Sequence, residues 1–228
     1  ATGRAKPAFE VVAHGVPMNG PTILFNGAAI YDFAAGRYLY TAFLPDIVRT
    51  HIAQALRALP FAAVELYHDD NSIHALQPNE VTRRHLHVTH SPTVIVDSMA
   101  QVPSPISKAL FSTEPSDQAA LLDYLRAAPW YGDYEIVASS ESLVELTAKG
   151  ANKGGMVQRL AALLDIPQDR VICVGDHAND VSMLTWAGAA FAPANALPEV
   201  LALPWVLSLP DCRENAIAAL IALLDEKY

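Results

Sequence analysis

Val171-Ile172-Cys173-Val174-Gly175-Asp176-His177-Ala178-Asn179-Asp180 carries the clearest structural signal in the chain. Four apolar residues in a row, largely β-branched and bounded by Arg170 and Gly175, read as a strand buried on both faces. After Gly175-Asp176 a helix is expected from Asn179 to about Ala187, with Gly188 placed to stop it. Upstream, Met156, Leu160, Leu163 and Leu164 recur at helical spacing from Lys153 to Leu164 and end at Ile166-Pro167. Downstream come a short apolar run (189–192), the Pro193-Ala194-Asn195 loop and a strand candidate around Trp205-Val206-Leu207. A last helix carries Ile217, Leu220, Ile221 and Leu224 on one face, with Asp211 and Glu214 as its capping box. Helix, strand, helix, strand, helix at short spacing predicts α/β architecture with a parallel sheet.

The same stretch carries chemistry. In an open parallel sheet, ligands bind beyond the carboxyl ends of the strands, and a buried strand ending in Gly-Asp delivers Asp176 to that edge. Asn179 and Asp180 follow on the next turn, where free amides favour anions. Two carboxylates and an amide within five residues suit Mg²⁺, which takes one or two carboxylates, keeps several waters and accepts a substrate oxygen. The competing reading is an Asp cap followed by a solvated acidic turn. Lys153, at the start of a helix where its charge opposes the dipole, is placed to neutralise phosphate or orient a carboxylate; read alone, it is a surface lysine. Thr2-Gly3 offers a hydroxyl and exposed amides of the kind that hold phosphate.

Composition bounds the function. The 228 residues are 52% hydrophobic, enough for a packed core, and apolar runs break well before the roughly 18 residues of a membrane span. Fifteen Lys and Arg against 24 Asp and Glu give a formal charge of −9. This balance argues against nucleic acid or an anionic membrane as the main partner. Two cysteines, Cys173 and Cys212, support neither a disulfide framework nor a zinc site, so the cytoplasm is the expected compartment.

Thr2-Gly3-Arg4, Phe25-Asn26-Gly27-Ala28, Lys153-Gly154 and Gly175-Asp176-His177-Ala178-Asn179-Asp180, with Asn195-Ala196 downstream, together resemble the haloacid dehalogenase superfamily, in particular its Cof-type branch with a class IIB cap. The resemblance spans nearly the whole chain. It implies a Rossmann-like core formed by 1–45 and 149–228, and an inserted α+β cap over 46–148 that closes over the site and selects the leaving group. It also implies a Mg²⁺-dependent phosphatase of small phosphorylated metabolites such as sugar phosphates, acting through an aspartyl-phosphate. By the resemblance Thr2 and Gly3 bind the transferring phosphoryl group, Lys153 neutralises it and Asn179 touches it. Asp176 ligates Mg²⁺, and Asp180 supports both the metal and Lys153. A specialised sugar phosphatase of the mannosyl-3-phosphoglycerate or sucrose-phosphate type has the same chemistry with a different cap.

The pattern departs from the family in one respect: no Asp-x-Asp, the family's source of nucleophile and general acid/base, stands before Thr2. The expectation is a polypeptide extending roughly 35 to 45 residues upstream as strand, helix and second strand, with Asp-x-Asp ending the first. Without it, the reading becomes a non-catalytic phosphate-binding protein.

The segment 46–148 is expected to hold helices over 46–59 and 116–127, and strands at 64–67, 93–96, 109–112 and 135–138. A hairpin of 29–31 with 38–40 follows a strand at 22–25. His68, His74, His85, His87 and His90 make this segment histidine-rich; exposed strand positions, a cap cleft and a metal cluster are the three readings, in that order. Cys173 reads as packing, and no feature of the sequence speaks to oligomeric state.

Overall fold

A computed structural model describes residues 1–13, 15, 18–89 and 91–227. His90 lies outside the described residues. The elements in chain order are α1 (Lys6–Val12), β1 (Thr22–Leu24), β2 (Ala29–Asp32), β3 (Arg37–Thr41), α2 (Val48–Ala58), β4 (Ala63–Tyr67), β5 (Ile73–Leu76), α3 (Glu80–Thr89), β6 (Thr93–Val96), β7 (Lys108–Ser112), α4 (Gln118–Ala127), β8 (Tyr134–Ser140), β9 (Leu143–Ala148), α5 (Lys153–Leu163), β10 (Ile172–Val174), α6 (Val181–Trp186), β11 (Ala189–Pro193), α7 (Pro198–Leu201), β12 (Val206–Leu209) and α8 (Ala216–Lys227). Their contacts divide the chain into two units, Ala1–Asn152 and Lys153–Tyr228. No helix among the described residues is long and apolar enough to cross a membrane.

The second unit has the parallel sheet that the sequence predicts, in the order β10-β11-β12. Its core is Cys173, Leu184, Ala190, Ala192 and Val200 on one side and Phe191, Leu209, Ala216 and Leu220 on the other. Three details differ from the sequence expectation. Along α5 the buried residues are Lys153, Gly154, Met156 and Ala161, and Leu163 and Leu164 are exposed. In α8, Leu220 is buried but Ile217 and Ile221 are exposed. Asp211 does not cap α8: its Oδ1 accepts from the Arg213 amide at 2.9 Å and closes a 3₁₀ turn. Asn215, at φ 61°, separates that turn from the helix.

The first unit holds an antiparallel three-stranded sheet, β1-β2-β3, and a six-stranded sheet in the order β6-β5-β4-β7-β9-β8. Only the β5–β6 pair of the larger sheet is parallel. Strand alternation gives the larger sheet two unlike faces. On one, Val64, Leu66, Phe111, Val144 and Leu146 pack against Val48, Ile52 and Leu56 of α2 and Leu121 and Leu125 of α4. These helix positions are four apart, which places them on a single stripe. On the other face, Glu65, Tyr67, Lys108, Glu145 and Thr147 are all buried, interleaved with Ile73 and Leu110, which pack against Phe25 and Ala28.

The turn after β1 is unusual. Phe25, Asn26 and Gly27 all have positive φ, at 53°, 53° and 112°. Two non-glycine residues in that region cost about 1–3 kcal/mol each. Hydrogen bonds from the Asn26 amide to Thr2 O at 3.0 Å and from the Phe25 amide to Arg4 O at 3.1 Å hold the turn. A Cβ on Gly27 would lie 2.3 Å from the backbone carbon of Asn152, so both conformation and space demand glycine. Gly27→Ala is expected to destabilise the first unit by about 3 kcal/mol, read as a lower urea midpoint at unchanged slope.

Candidate active site

In the second unit, β10 ends at Val174 and the chain turns through Gly175-Asp176-His177 into a 3₁₀ turn, Ala178–Asp180, before α6. The helix expected from Asn179 therefore starts two residues later and is shorter. Asp180 is the organising group. Its Oδ1 accepts from Lys153 Nζ at 2.5 Å, and its Oδ2 accepts from the amides of Asp176 at 3.0 Å and His177 at 3.1 Å. The Asp180 amide donates back to His177 O at 2.9 Å, so the turn is tied at both ends. Lys153 and Asp180 are only 7% and 4% exposed. A buried ion pair persists only where its remaining lone pairs are satisfied, and the two backbone amides do that for Asp180.

Two glycines make this possible. A Cβ on Gly175 would lie 2.4 Å from Asp180 Cβ; glycine is what lets the Asp180 side chain fold back over the strand end. A Cβ on Gly154 would lie 2.4 Å from Ser182 O, and the Gly154 amide donates to Ser182 Oγ at 3.0 Å. This close approach brings α5 onto α6 and Lys153 onto Asp180.

Asp176 is exposed at the carboxyl end of β10, and its carbonyl accepts from the Leu197 amide at 2.9 Å. Asn179 is half-buried on the 3₁₀ turn. The structure thus brings Lys153, Asp176, Asn179 and Asp180 together on one strand end and the turn and helix beside it. Thr2 and Gly3 belong to the first unit. There the Thr2 amide donates to Ile23 O at 2.9 Å, the Arg4 amide donates to Thr2 Oγ1 at 3.2 Å, and Gly3 lies against the Asn26 side chain.

No group of three His, Cys, Asp or Glu residues capable of holding a metal ion occurs among the described residues. Mg²⁺ asks for less, one or two carboxylates with waters and a substrate oxygen. The exposed Asp176 carboxylate fits that requirement. Asp180, with both oxygens already accepting, fits the role of holding Lys153 and the Asp176 backbone.

Among the described residues the histidines form no metal cluster and do not occupy exposed strand positions as a set. His85 and His87 lie on α3, a helix the sequence reading does not anticipate. His85 Nδ1 meets both oxygens of the buried Glu65 at 2.9–3.0 Å, while His87 is exposed. His68 is buried, its Nδ1 donating to Pro105 O at 2.7 Å; His74, on β5, meets His68 Nε2 at 3.1 Å. A buried polar set on β4, β7 and β9 has no counterpart among the sequence expectations. Tyr67 Oη donates to Glu65 Oε2 at 2.7 Å, and Lys108 Nζ donates to Glu145 Oε2 at 3.2 Å. Burial first, then the Glu65 carboxylate, drives the Tyr67 phenol well above its ordinary pKa and keeps it a donor. The available signal is a charge recurring inside otherwise apolar strands, as in Val64-Glu65-Leu66 and Val144-Glu145-Leu146.

Comparison with known proteins agrees with this architecture. The haloacid dehalogenase-like hydrolase family matches residues 1–221, and the chain belongs to that family. Among curated relatives, YxeH of Bacillus subtilis (strain 168) is 40% identical over 99 residues, 43% of this chain and 32% of that protein. The 5-amino-6-(5-phospho-D-ribitylamino)uracil phosphatase YitU of the same organism is 26% identical over 223 residues, 88% of this chain and 74% of that protein. The match thus spans about a third of YxeH and about three quarters of YitU. Among solved structures, a haloacid dehalogenase-like hydrolase from Bacteroides thetaiotaomicron superposes with a TM-score of 0.80 at 21% identity, covering 98% of this chain and 85% of that one. This last likeness concerns the fold.

Two outcomes test the site geometry. Asp180→Ala leaves Lys153 a buried cation without its partner and is expected to destabilise the second unit by about 3–5 kcal/mol, measured by urea unfolding. Burial also pushes the Cys173 thiol up to about 11, whereas Cys212 is exposed. Iodoacetamide at about pH 8 should therefore label Cys212 and spare Cys173, since only the thiolate reacts; peptide mapping reads the outcome.

Proposed function

We propose that this protein is a Mg²⁺-dependent phosphatase of small phosphorylated metabolites, acting through an aspartyl-phosphate. One observation carries the reading: a single carboxylate, Asp180, both fixes the Lys153 ammonium and ties down the backbone of Asp176. The arrangement presents a preorganised cation and an exposed carboxylate at a strand end, which is most of what phosphoryl transfer asks of a protein. Family membership supports the reaction class, and YitU, a phosphatase of a small phosphorylated metabolite, supports the substrate class.

In this reading residues 1–45 and 149–228 form the core and 46–148 the cap. Thr2 and Gly3 hold phosphoryl oxygens through the hydroxyl and backbone amides. Lys153 offsets the charge on the transferring group, and Asn179 donates to it. Asp176 holds the metal, which offsets phosphoryl charge when bound. In the aspartyl-phosphate route a carboxylate oxygen of the family's Asp-x-Asp would form the new bond to phosphorus as the P–O ester bond breaks. The ester oxygen would leave as the alcohol with a proton from the second carboxyl group of that motif, and water would then cleave the acyl phosphate to inorganic phosphate and the free carboxylate. Both cysteines are free thiols, in keeping with a reducing cytoplasm.

Phosphate release from p-nitrophenyl phosphate by the full-length polypeptide, with and without Mg²⁺, tests the proposal. Turnover that requires Mg²⁺, and falls about 100-fold or more in Asp176→Asn with an unchanged circular dichroism spectrum, is the expected result. Near-wild-type activity of Asp176→Asn at ordinary Mg²⁺ would remove the metal assignment. A wild-type protein that binds phosphate without turnover would favour a non-catalytic phosphate-binding protein.

A further inference from the structure

Lys108 is a buried cation that the reaction as described does not use. It sits on the polar face of the six-stranded sheet, 3% exposed. Its ammonium is 3.2 Å from Glu145 Oε2 and lies over the Tyr67 and Phe25 rings, at 4.5 and 5.7 Å from their centroids. Its remaining contact is with the Gly3 carbonyl oxygen at 3.5 Å. Burying both members of an ion pair costs several kcal/mol per ion before their attraction is counted, so stability alone is a poor reason for this pair to exist.

The Gly3 contact supplies a different reason. A trans peptide points its C=O and the following N–H in opposite directions. With the Gly3 carbonyl turned towards Lys108, the Arg4 N–H is turned away from it, and that N–H donates to Thr2 Oγ1 at 3.2 Å. A hydroxyl has one proton to donate and two lone pairs to accept with. Accepting from Arg4 orients the Thr2 oxygen and leaves its proton for another acceptor.

We infer that Lys108, held by Glu145, is a positioning residue that sets the Gly3–Arg4 peptide and through it aims the Thr2 hydroxyl as a donor to a phosphoryl oxygen. This deepens the proposed function and rests on it for the role of Thr2. The polar face of the sheet is thereby coupled to the Thr2-Gly3 loop through one cation and one peptide plane.

A double-mutant cycle in the full-length protein separates this role from plain packing. Lys108→Met is combined with Glu145→Gln, so that no lone carboxylate stays buried, and the pair is made in the wild-type and Thr2→Val backgrounds. Lys108→Arg is the conservative control. The readouts are KM and kcat for p-nitrophenyl phosphate and, independently of turnover, the Kd of inorganic phosphate by calorimetry.

In the wild-type background the neutral pair should raise KM and phosphate Kd about tenfold with a smaller change in kcat. In the Thr2→Val background the same pair should change them less than about twofold, and Lys108→Arg should restore part of the loss. Equal effects in both backgrounds, or none in the first, would overturn the positioning role while leaving the phosphatase reading intact. A wild type that binds phosphate without turnover lets the Kd cycle decide the role of Lys108 alone. A wild type with neither turnover nor phosphate binding overturns both. If the neutral pair fails to fold, Lys108→Arg and Glu145→Gln run singly through the same cycle decide it.

Discussion

The Asp180 carboxylate is the constraint from which the rest of the second unit follows. It is one of the few charged groups buried there, and its three hydrogen bonds all run to groups that need a fixed position: one ammonium and two consecutive amides. A carboxylate with both oxygens accepting cannot swing without leaving donors unmet, each at a cost of about 1–3 kcal/mol. Lys153, the end of β10 and the turn into α6 are therefore held by one side chain. The glycines at 154 and 175 fall into place as consequences. Each stands where a Cβ would collide with Ser182 or with Asp180 itself, so the ion pair dictates the backbone around it.

The first unit is built on a different division of labour. Its large sheet gives one face to a conventional apolar core under α2 and α4 and reserves the other for Glu65, Tyr67, Lys108, Glu145 and Thr147. Because residues alternate strictly between faces, these polar side chains enter the sheet without interrupting the core behind it. The antiparallel registers place Tyr67 beside Lys108 and Leu110 beside Glu145, which is how a cation, an aromatic ring and a carboxylate from three strands come to share one spot. The strained turn at 25–27 closes over the same face through Phe25, so its backbone cost is balanced by packing.

Much of this is legible in the sequence where chemistry and periodicity reinforce each other. The apolar run Val171 to Val174 with the Gly-Asp after it reads as a strand and its end, and β10 forms there over Ile172–Val174, with Cys173 buried and its two neighbours half-buried. Its parallel neighbours are readable from the helix–strand alternation. The grouping of Lys153 with Asp176, Asn179 and Asp180 instead follows from the family resemblance, since Lys153 read alone is a surface lysine. The losses have physical causes. Of α3's ten residues only Val81, Thr82 and Thr89 are buried, which leaves almost no apolar stripe to read. β5 is four residues long with His74 in the middle. Leu163, Leu164, Ile217 and Ile221 follow a helical period yet are exposed, since periodicity names a stripe without saying what covers it. The role of Asp180 as an organiser of amides is invisible in one dimension, because a carboxylate's partners are set by the turn and not by composition.

The two buried lysines obey one logic. Lys153 and Lys108 are each pinned by a single carboxylate, and each is spent on polar backbone geometry as much as on charge. In one case the shared carboxylate reaches on to the amides of Asp176 and His177; in the other the ammonium reaches on to the carbonyl of Gly3. A hydrophobic pair of the same volume would pack as well and fold with less desolvation, but it would set neither peptide. Burial is what gives these contacts their strength, since the same charges exposed to water would be screened and free to move. The chain therefore carries a thermodynamic cost in both units at the points where backbone groups must be aimed, in the two buried ion pairs, beside the conformational cost of the turn at 25–27.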